Sequence, residues 1–220
     1  MSESTLTLGA ILYPGFEMLD MFGPLEMFSL VPDQKIEIVM IAQNKGPVVA
    51  ALGSNIHGGP KVVADYDFED APALDIILVP GGYGTIPELE NFALLKFLKN
   101  RSEQAQITAS VCTGSALLAK AGVLDGHKAT SNKQIFALAV MQSDKVEWIE
   151  EARWVDDGPV VTSSGVSAGM DMSLAVIERL FGSDAAQTAA SAAEYTRHRD
   201  ANSDPFTSEL DDLSKAMGLI

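Results

Sequence analysis

The stretch Gln106-Ile-Thr-Ala-Ser-Val-Cys112-Thr113-Gly114-Ser-Ala-Leu-Leu-Ala-Lys-Ala121 organises the reading of the whole chain. Ile107, Ala109 and Val111 alternate with polar residues, which predicts a buried strand up to Val111. From Thr113 onward Ser115, Ala116, Leu117, Leu118 and Ala119 are helix material, and Gly122 stops the run. The chain's only cysteine stands at the joint. A side chain on such a strand-to-helix turn projects above the end of its sheet, as in a nucleophile elbow. There it also meets the free N–H groups and the positive end of the helix dipole, which favour a thiolate. Two readings stand side by side at this point: an activated nucleophile, or a small apolar residue that is merely buried.

Outward from this joint the chain alternates strands and helices. Thr5–Tyr13 is an apolar run of strand length closed by Pro14-Gly15, and Leu25–Leu30 reads as a short helix. Lys35–Ala42 alternates as a second strand, and residues 45–64, with four glycines and Pro60, suggest a small hairpin. Leu74–Val79 is a third strand that ends in Pro80-Gly81-Gly82-Tyr83-Gly84, followed by a helical period over Pro87–Arg101. Beyond the central joint, Ile135–Met141 reads as a helix, and Val146–Val155 and Val160–Ser163 as strands around Asp156-Asp157-Gly158-Pro159. Ser167–Phe181 and Asp184–Arg199 read as two helices, the second rich in alanine.

This order predicts one α/β domain over residues 5–199, a doubly wound, mostly parallel, flavodoxin-like sheet, with 200–220 as a tail on the domain or at a dimer interface. Ligands in such sheets bind beyond the carboxyl ends of the strands. The loops Pro14–Asp20, Pro80–Gly84 and Cys112–Thr113 should therefore meet in one place.

Composition narrows the function. A 220-residue chain that is 47% hydrophobic and 20% charged is globular and has room for a full core. A net charge of −15 disfavours nucleic acid and anionic membranes as partners. One cysteine rules out an internal disulfide and fits a reducing compartment. Met1-Ser-Glu-Ser-Thr has no basic leader, and no apolar run reaches spanning length, so a cytoplasmic protein is expected. The histidines and the cysteine have no metal-ligand spacing.

Taken in order, several motifs resemble the DJ-1/PfpI superfamily, the cysteine branch of the class I glutamine amidotransferase-like fold. They are Tyr13-Pro14-Gly15 with Leu19-Asp20 and Gly23-Pro24, Val79-Pro80-Gly81-Gly82, and Ser110-Val111-Cys112-Thr113-Gly114. Ala121-Gly122-Val123-Leu124-Asp125-Gly126 and Ser164-Gly165-Val166-Ser167-Ala168-Gly169-Met170-Asp171 continue the series. The Leu-Asp-x-x-Gly-Pro and Val-Cys-Thr-Gly forms look most like the isocyanide hydratase branch. That branch is also similar to the N-terminal domains of AraC-type regulators, whose helix-turn-helix module is not expected in a chain ending at Ile220.

The resemblance implies Cys112 as nucleophile and Asp20 as the acid against it, holding the proton that two neighbouring anions cannot both do without. The bland alternative for Asp20 is the cap of a helix beginning near Met21. Thr113, through hydroxyl and N–H, and the N–H groups of Gly81 and Gly82 would bind the substrate as an oxyanion-like clamp. One departure stands out: where many relatives carry a histidine after Ala129-Thr130, this chain reads Ser131-Asn132. His57, His127 and His198 are expected at the surface or at caps, away from Cys112, which disfavours a Cys–His–acid triad and glyoxalase chemistry.

The implied activity is that of a lyase adding water to an isocyanide through a covalent Cys112 thioimidate, with no metal or organic cofactor. A DJ-1-like redox protein with an oxidisable Cys112 and a non-catalytic sensor domain are the alternatives. A homodimer is implied as well. The 185–193 stretch, Met18–Phe28 and the tail are its candidate surfaces, unless those apolar stripes pack on their own sheet.

Overall fold

The computed structural model describes residues 5–220; residues 1–4, noted above only for lacking a basic leader, lie outside the described part. Leu6–Ile11 forms β1, with its last four residues buried, and leads into Met18–Ser29 (α1). Ile36–Ile41 (β2) lies parallel to β1, pairing Leu6 with Ile36 through Ile11 with Ile41. The glycine-rich excursion is an antiparallel hairpin of Gly46–Val49 (β3) and Lys61–Ala64 (β4). Ile76–Val79 (β5), buried throughout, adds to the other side of β1. Thr85–Glu88 (α2) and Phe92–Ser102 (α3) lead to Ile107–Val111 (β6) and Gly114–Lys120 (α4).

Lys128–Ala129 (β7), Phe136–Val140 (α5) and Glu147–Trp148 (β8) form a small subsidiary unit, with β7 and β8 paired in parallel. Trp154–Asp157 (β9) and Val160–Ser163 (β10) close the main sheet before Ala168–Phe181 (α6), Ser183–Ala192 (α7) and Asp212–Ala216 (α8).

The main sheet runs β2-β1-β5-β6-β10-β9, parallel except for the β9 edge. α1, α6 and α7 pack together, as do α3, α4 and α5, in the two flanking layers. Strands covered on both faces need no polar alternation, which is why β5, β6 and β10 are buried at every position. Because β2 and β5 add to opposite sides of β1, the connections diverge there, and a crevice opens above the carboxyl ends.

Several boundaries differ from the sequence expectation. α1 starts at Met18 rather than Leu25 and carries Pro24 inside it; burial of Met21, Leu25, Met27 and Phe28 outweighs the one lost backbone bond. The expected Pro87–Arg101 helix is two helices, because Asn91 accepts the N–H groups of Ala93 and Leu94 and caps a new start. Val146–Val155 is broken between Trp148 and Trp154, where the Ile149 and Ala152 carbonyls turn to Thr130 Oγ1. α7 stops at Ala192 rather than Arg199, since Glu194 adopts a left-handed φ of 50°. His198 therefore lies beyond the helix it was expected to end.

The alanine stripe is spent inside the chain: Ala186, Ala189 and Ala190 are buried where α7 meets α6. The 200–220 segment packs back on the same chain through Arg153 N–H to the Ala201 carbonyl and Asp204 N–H to that of Glu151, both 2.8 Å. Among the described residues no helix is long and apolar enough to cross a membrane.

Candidate active site

Cys112 leaves β6 with φ of 58°, a conformation that side-chain-bearing residues rarely adopt. The surroundings hold it there. Its N–H meets the Ser163 and Ser164 carbonyls at 3.1 and 3.2 Å, and its carbonyl accepts the hydroxyls of Ser115 at 3.0 Å and Ser131 at 3.2 Å. Strain of this kind persists only where neighbours over-determine the turn. The thiol is buried and free of any disulfide.

Asp20 reaches the same point from the first turn of α1 and is fully buried. Its Oδ2 accepts the Gly81 N–H at 2.9 Å, while Oδ1 has no hydrogen-bond partner among the described residues. The carboxyl thus points across to the β5 turn and caps nothing in its own helix, which sets the helix-cap reading aside. Burial pushes the Asp20 carboxyl well above the usual range, with the Glu17 charge adding to it and the Gly81 N–H opposing. Burial likewise raises the Cys112 thiol, and the Asp20 charge raises it further, against the Thr113 N–H and the Asn132 amide. Two donors thus face the sulfur, while burial and the neighbouring carboxyl push Cys112 and Asp20 alike toward their protonated forms, so the pair does not hold two negative charges at once.

Asn132 supplies what the sequence left open at the position of the absent histidine. Its Nδ2 donates to Cys112 Sγ at 3.1 Å, and its Oδ1 accepts the Ile135 N–H at 3.2 Å. The amide stabilises charge on sulfur but has no base to offer.

The amides of Gly81 and Gly82 are engaged within the protein, contrary to the expectation that they present free donors. Gly81 N–H is held by Asp20, and Gly82 N–H donates to Thr113 Oγ1 at 3.0 Å. Tyr13 OH donates to the Pro80 carbonyl at 2.6 Å and stands 3.1 Å from Thr85 Oγ1, which is 2.8 Å from Thr113 Oγ1. With the Tyr13 proton committed, Thr85 donates to Tyr13, and the Thr113 hydroxyl lies 2.8 Å from Thr85 Oγ1 and 3.4 Å from the Gly82 carbonyl. The Thr113 hydroxyl is thereby spent on structure, and only its N–H faces the thiol. Glycine is required at 81 because a Cβ there would come within 2.5 Å of Thr113 N and 2.9 Å of Asp20 Oδ2.

A cleft of about 150 Å³ opens on Cys112, Thr113 and Asn132, walled by Ile86, Ile135, Leu138, Val166 and Leu213. None of the three histidines lines it. His57 borders a larger cavity of about 340 Å³ by the β3 hairpin that contains neither Cys112 nor Asp20, so its size does not make it the reactive centre. His127 Nδ1 lies 2.9 Å from Asp157 Oδ2, and His198 N–H donates to Asp171 at 2.8 Å. Among the described residues no cluster of three His, Cys, Asp or Glu side chains could hold a metal.

The three loops meet as the sequence leads one to expect, which brings Asp20, Gly81, Gly82 and Thr113 together beside Cys112. The contact of Asn132 with sulfur had only a positional signal, its place after Ala129-Thr130; Thr85 and Leu213 had none.

A sequence model of the DJ-1/PfpI family matches residues 10–179. The isonitrile hydratase of Pseudomonas putida is 34% identical over 195 residues, 86% of this chain and 78% of its own length. The HTH-type transcriptional regulator GbdR of Pseudomonas aeruginosa is 35% identical over 125 residues, 56% of this chain but 33% of the regulator. Among solved structures, a ThiJ/PfpI family protein from Pseudomonas syringae superposes with a TM-score of 0.79 at 29% identity, covering 97% of this chain and 85% of that one.

Proposed function

The chain belongs to the DJ-1/PfpI family, and from that premise we propose that it hydrates isocyanides to N-substituted formamides through Cys112. The observation that carries this reading is the coupled Cys112–Asp20 pair, with amide donors on the sulfur and no histidine on the cleft. The similarity to an isonitrile hydratase over most of both chains supports it.

The Cys112 thiolate adds to the terminal carbon of R–N≡C, and Asp20 delivers its proton to that carbon. The product is a thioimidate, R–N=CH–S–Cys, with Asp20 ionised. Asp20 then takes a proton from water as the hydroxyl adds to the same carbon, and passes that proton to nitrogen. Loss of the hydroxyl proton to Asp20 expels the thiolate, frees R–NH–CHO and restores the resting pair. The balance is one isocyanide plus one water. Asn132 and the Thr113 N–H hold the sulfur's charge at the start and at the end.

A spectrophotometric assay with p-nitrophenyl isocyanide tests the reading, with wild type beside Cys112→Ala and Asp20→Asn. Turnover that needs both residues is the expected result; turnover by Cys112→Ala sinks the mechanism. An inert wild type makes peroxide oxidation of Cys112 the function to assay next.

We also propose that the protein is a cytoplasmic homodimer. Leu19 and Phe22 of α1 and Phe206 of the tail are exposed apolar side chains, and Leu19, Phe206 and Val166 border one surface recess beside the cleft. Sedimentation analysis of Phe22→Glu against wild type tests this: the variant should fall to monomer.

A further inference from the structure

The outer wall of the Cys112 cleft comes from the far end of the chain. Leu213 of α8 joins Ile86, Ile135, Leu138 and Val166 around the thiol. A five-residue helix has too few internal bonds to hold a wall by itself. Backbone bonds to the Asn132 loop do so instead: Asp211 N–H to the Lys133 carbonyl at 2.8 Å and Leu213 N–H to that of Gln134 at 2.9 Å. Asp211, at a left-handed φ of 60°, also accepts the Ala137 N–H and the Ser214 hydroxyl on Oδ1, both at 2.7 Å. Leu213 is therefore seated on the same loop that presents Asn132 to sulfur.

The chemistry of this lining is selective. Its walls are aliphatic, its one ionisable side chain beyond Cys112 and Tyr83 is the acidic Glu17, and no Lys, Arg or His borders it. An anionic substituent would meet Glu17 with nothing to balance it. The cleft, about 150 Å³ between these walls, opens to solvent on its outer side, where Leu213 stands.

We infer that Leu213 is the specificity-determining residue of the site, favouring compact, uncharged, apolar substituents over bulky ones. The substrate part of this inference rests on the hydratase reading; the wall itself does not.

The experiment compares wild type, Leu213→Ala and Leu213→Trp, each confirmed folded by circular dichroism, in two assays. The first measures kcat/KM for methyl, cyclohexyl and naphthyl isocyanides. The second measures the rate at which Cys112 is alkylated by N-methylmaleimide and N-cyclohexylmaleimide, which requires no hydratase chemistry. Leu213→Ala should raise the bulky-to-small ratio about tenfold in both assays, and Leu213→Trp should lower it by a similar factor. Unchanged ratios in both variants overturn the inference. Maleimide ratios that move while wild type hydrates none of the isocyanides uphold the wall and reject the hydratase reading.

Discussion

Asn132 donates its side-chain amide to Cys112 Sγ at 3.1 Å, and its other end is committed to the Ile135 N–H, so the donor must face the sulfur. The amide stabilises a thiolate and cannot take the thiol's proton, so in the proposed reaction that proton falls to Asp20. Removing the donor with Asn132→Ala should lower the rate of Cys112 alkylation by iodoacetamide at pH 7 by about tenfold or more, the scale of a hydrogen bond to a charged group. Asn132→Asp should be slower still, since it sets a second carboxylate against the sulfur. An alkylation rate that is the same in all three proteins would remove Asn132 from the site.

Gly165 tests the same contact from behind. A Cβ at 165 would overlap Asn132 Nδ2 and lie 3.5 Å from Cys112 Sγ. Gly165→Ala should displace the amide and reproduce the alkylation defect of Asn132→Ala. The double variant should then be no slower than either single one, because both remove one interaction. Additive defects in this cycle would place the effect of Gly165 elsewhere.

The Asp20 carboxyl carries an opposition between stability and activity. Burial keeps its proton on in the folded chain at pH values where the unfolded chain has lost it. Between those values the folded state binds more protons, so stability declines as pH rises. Asp20→Asn removes that decline. The variant should melt higher than wild type at pH 7, by roughly 2–4 °C for each 1 kcal/mol recovered in a chain of this size, and the advantage should fade below about pH 4. Its turnover should fall at least about 10²-fold, as expected for loss of a general acid. Melting curves from pH 4 to 8 with parallel assays decide both.

Arg153 is the cation of a buried cluster that joins three segments. Its Nε and Nη2 both lie 2.7 Å from Asp171 Oδ2, and Nη1 is 3.7 Å from Asp204 Oδ2. Asp171 Oδ1 also accepts the Tyr195 hydroxyl and the His198 N–H. Arg153→Met leaves the buried Asp171 without a counter-charge and Asp204 with Lys133 alone, so urea denaturation should show a loss of about 3–5 kcal/mol. Arg153→Lys, which keeps the charge but not the fork of donors, should lose less. Equal losses would mean that the charge itself is unimportant here.

Local chemistry made much of this protein legible. Alternation up to Val111, helix formers after Thr113 and the turn signals at Pro14-Gly15 and Pro80-Gly84 act over a few residues, so the sheet and the meeting of three loops follow from them. Cys112 stood out by its place at the strand-to-helix joint, whereas the role of Asp20 came from the family resemblance, since local pattern reads it equally as a helix cap. Element ends were less legible, because Asn91, Pro24 and Glu194 act through a cap, a tolerated proline and a left-handed turn that depend on what packs around them. The rest was decided only by tertiary structure. The occupation of the Gly81 and Gly82 amides, the donation from Asn132 to sulfur and the wall supplied by Leu213 join residues 20 to 100 positions apart. Propensity and periodicity cannot register such pairs: they are settled by burial, which brings distant polar groups together and requires each to find a partner.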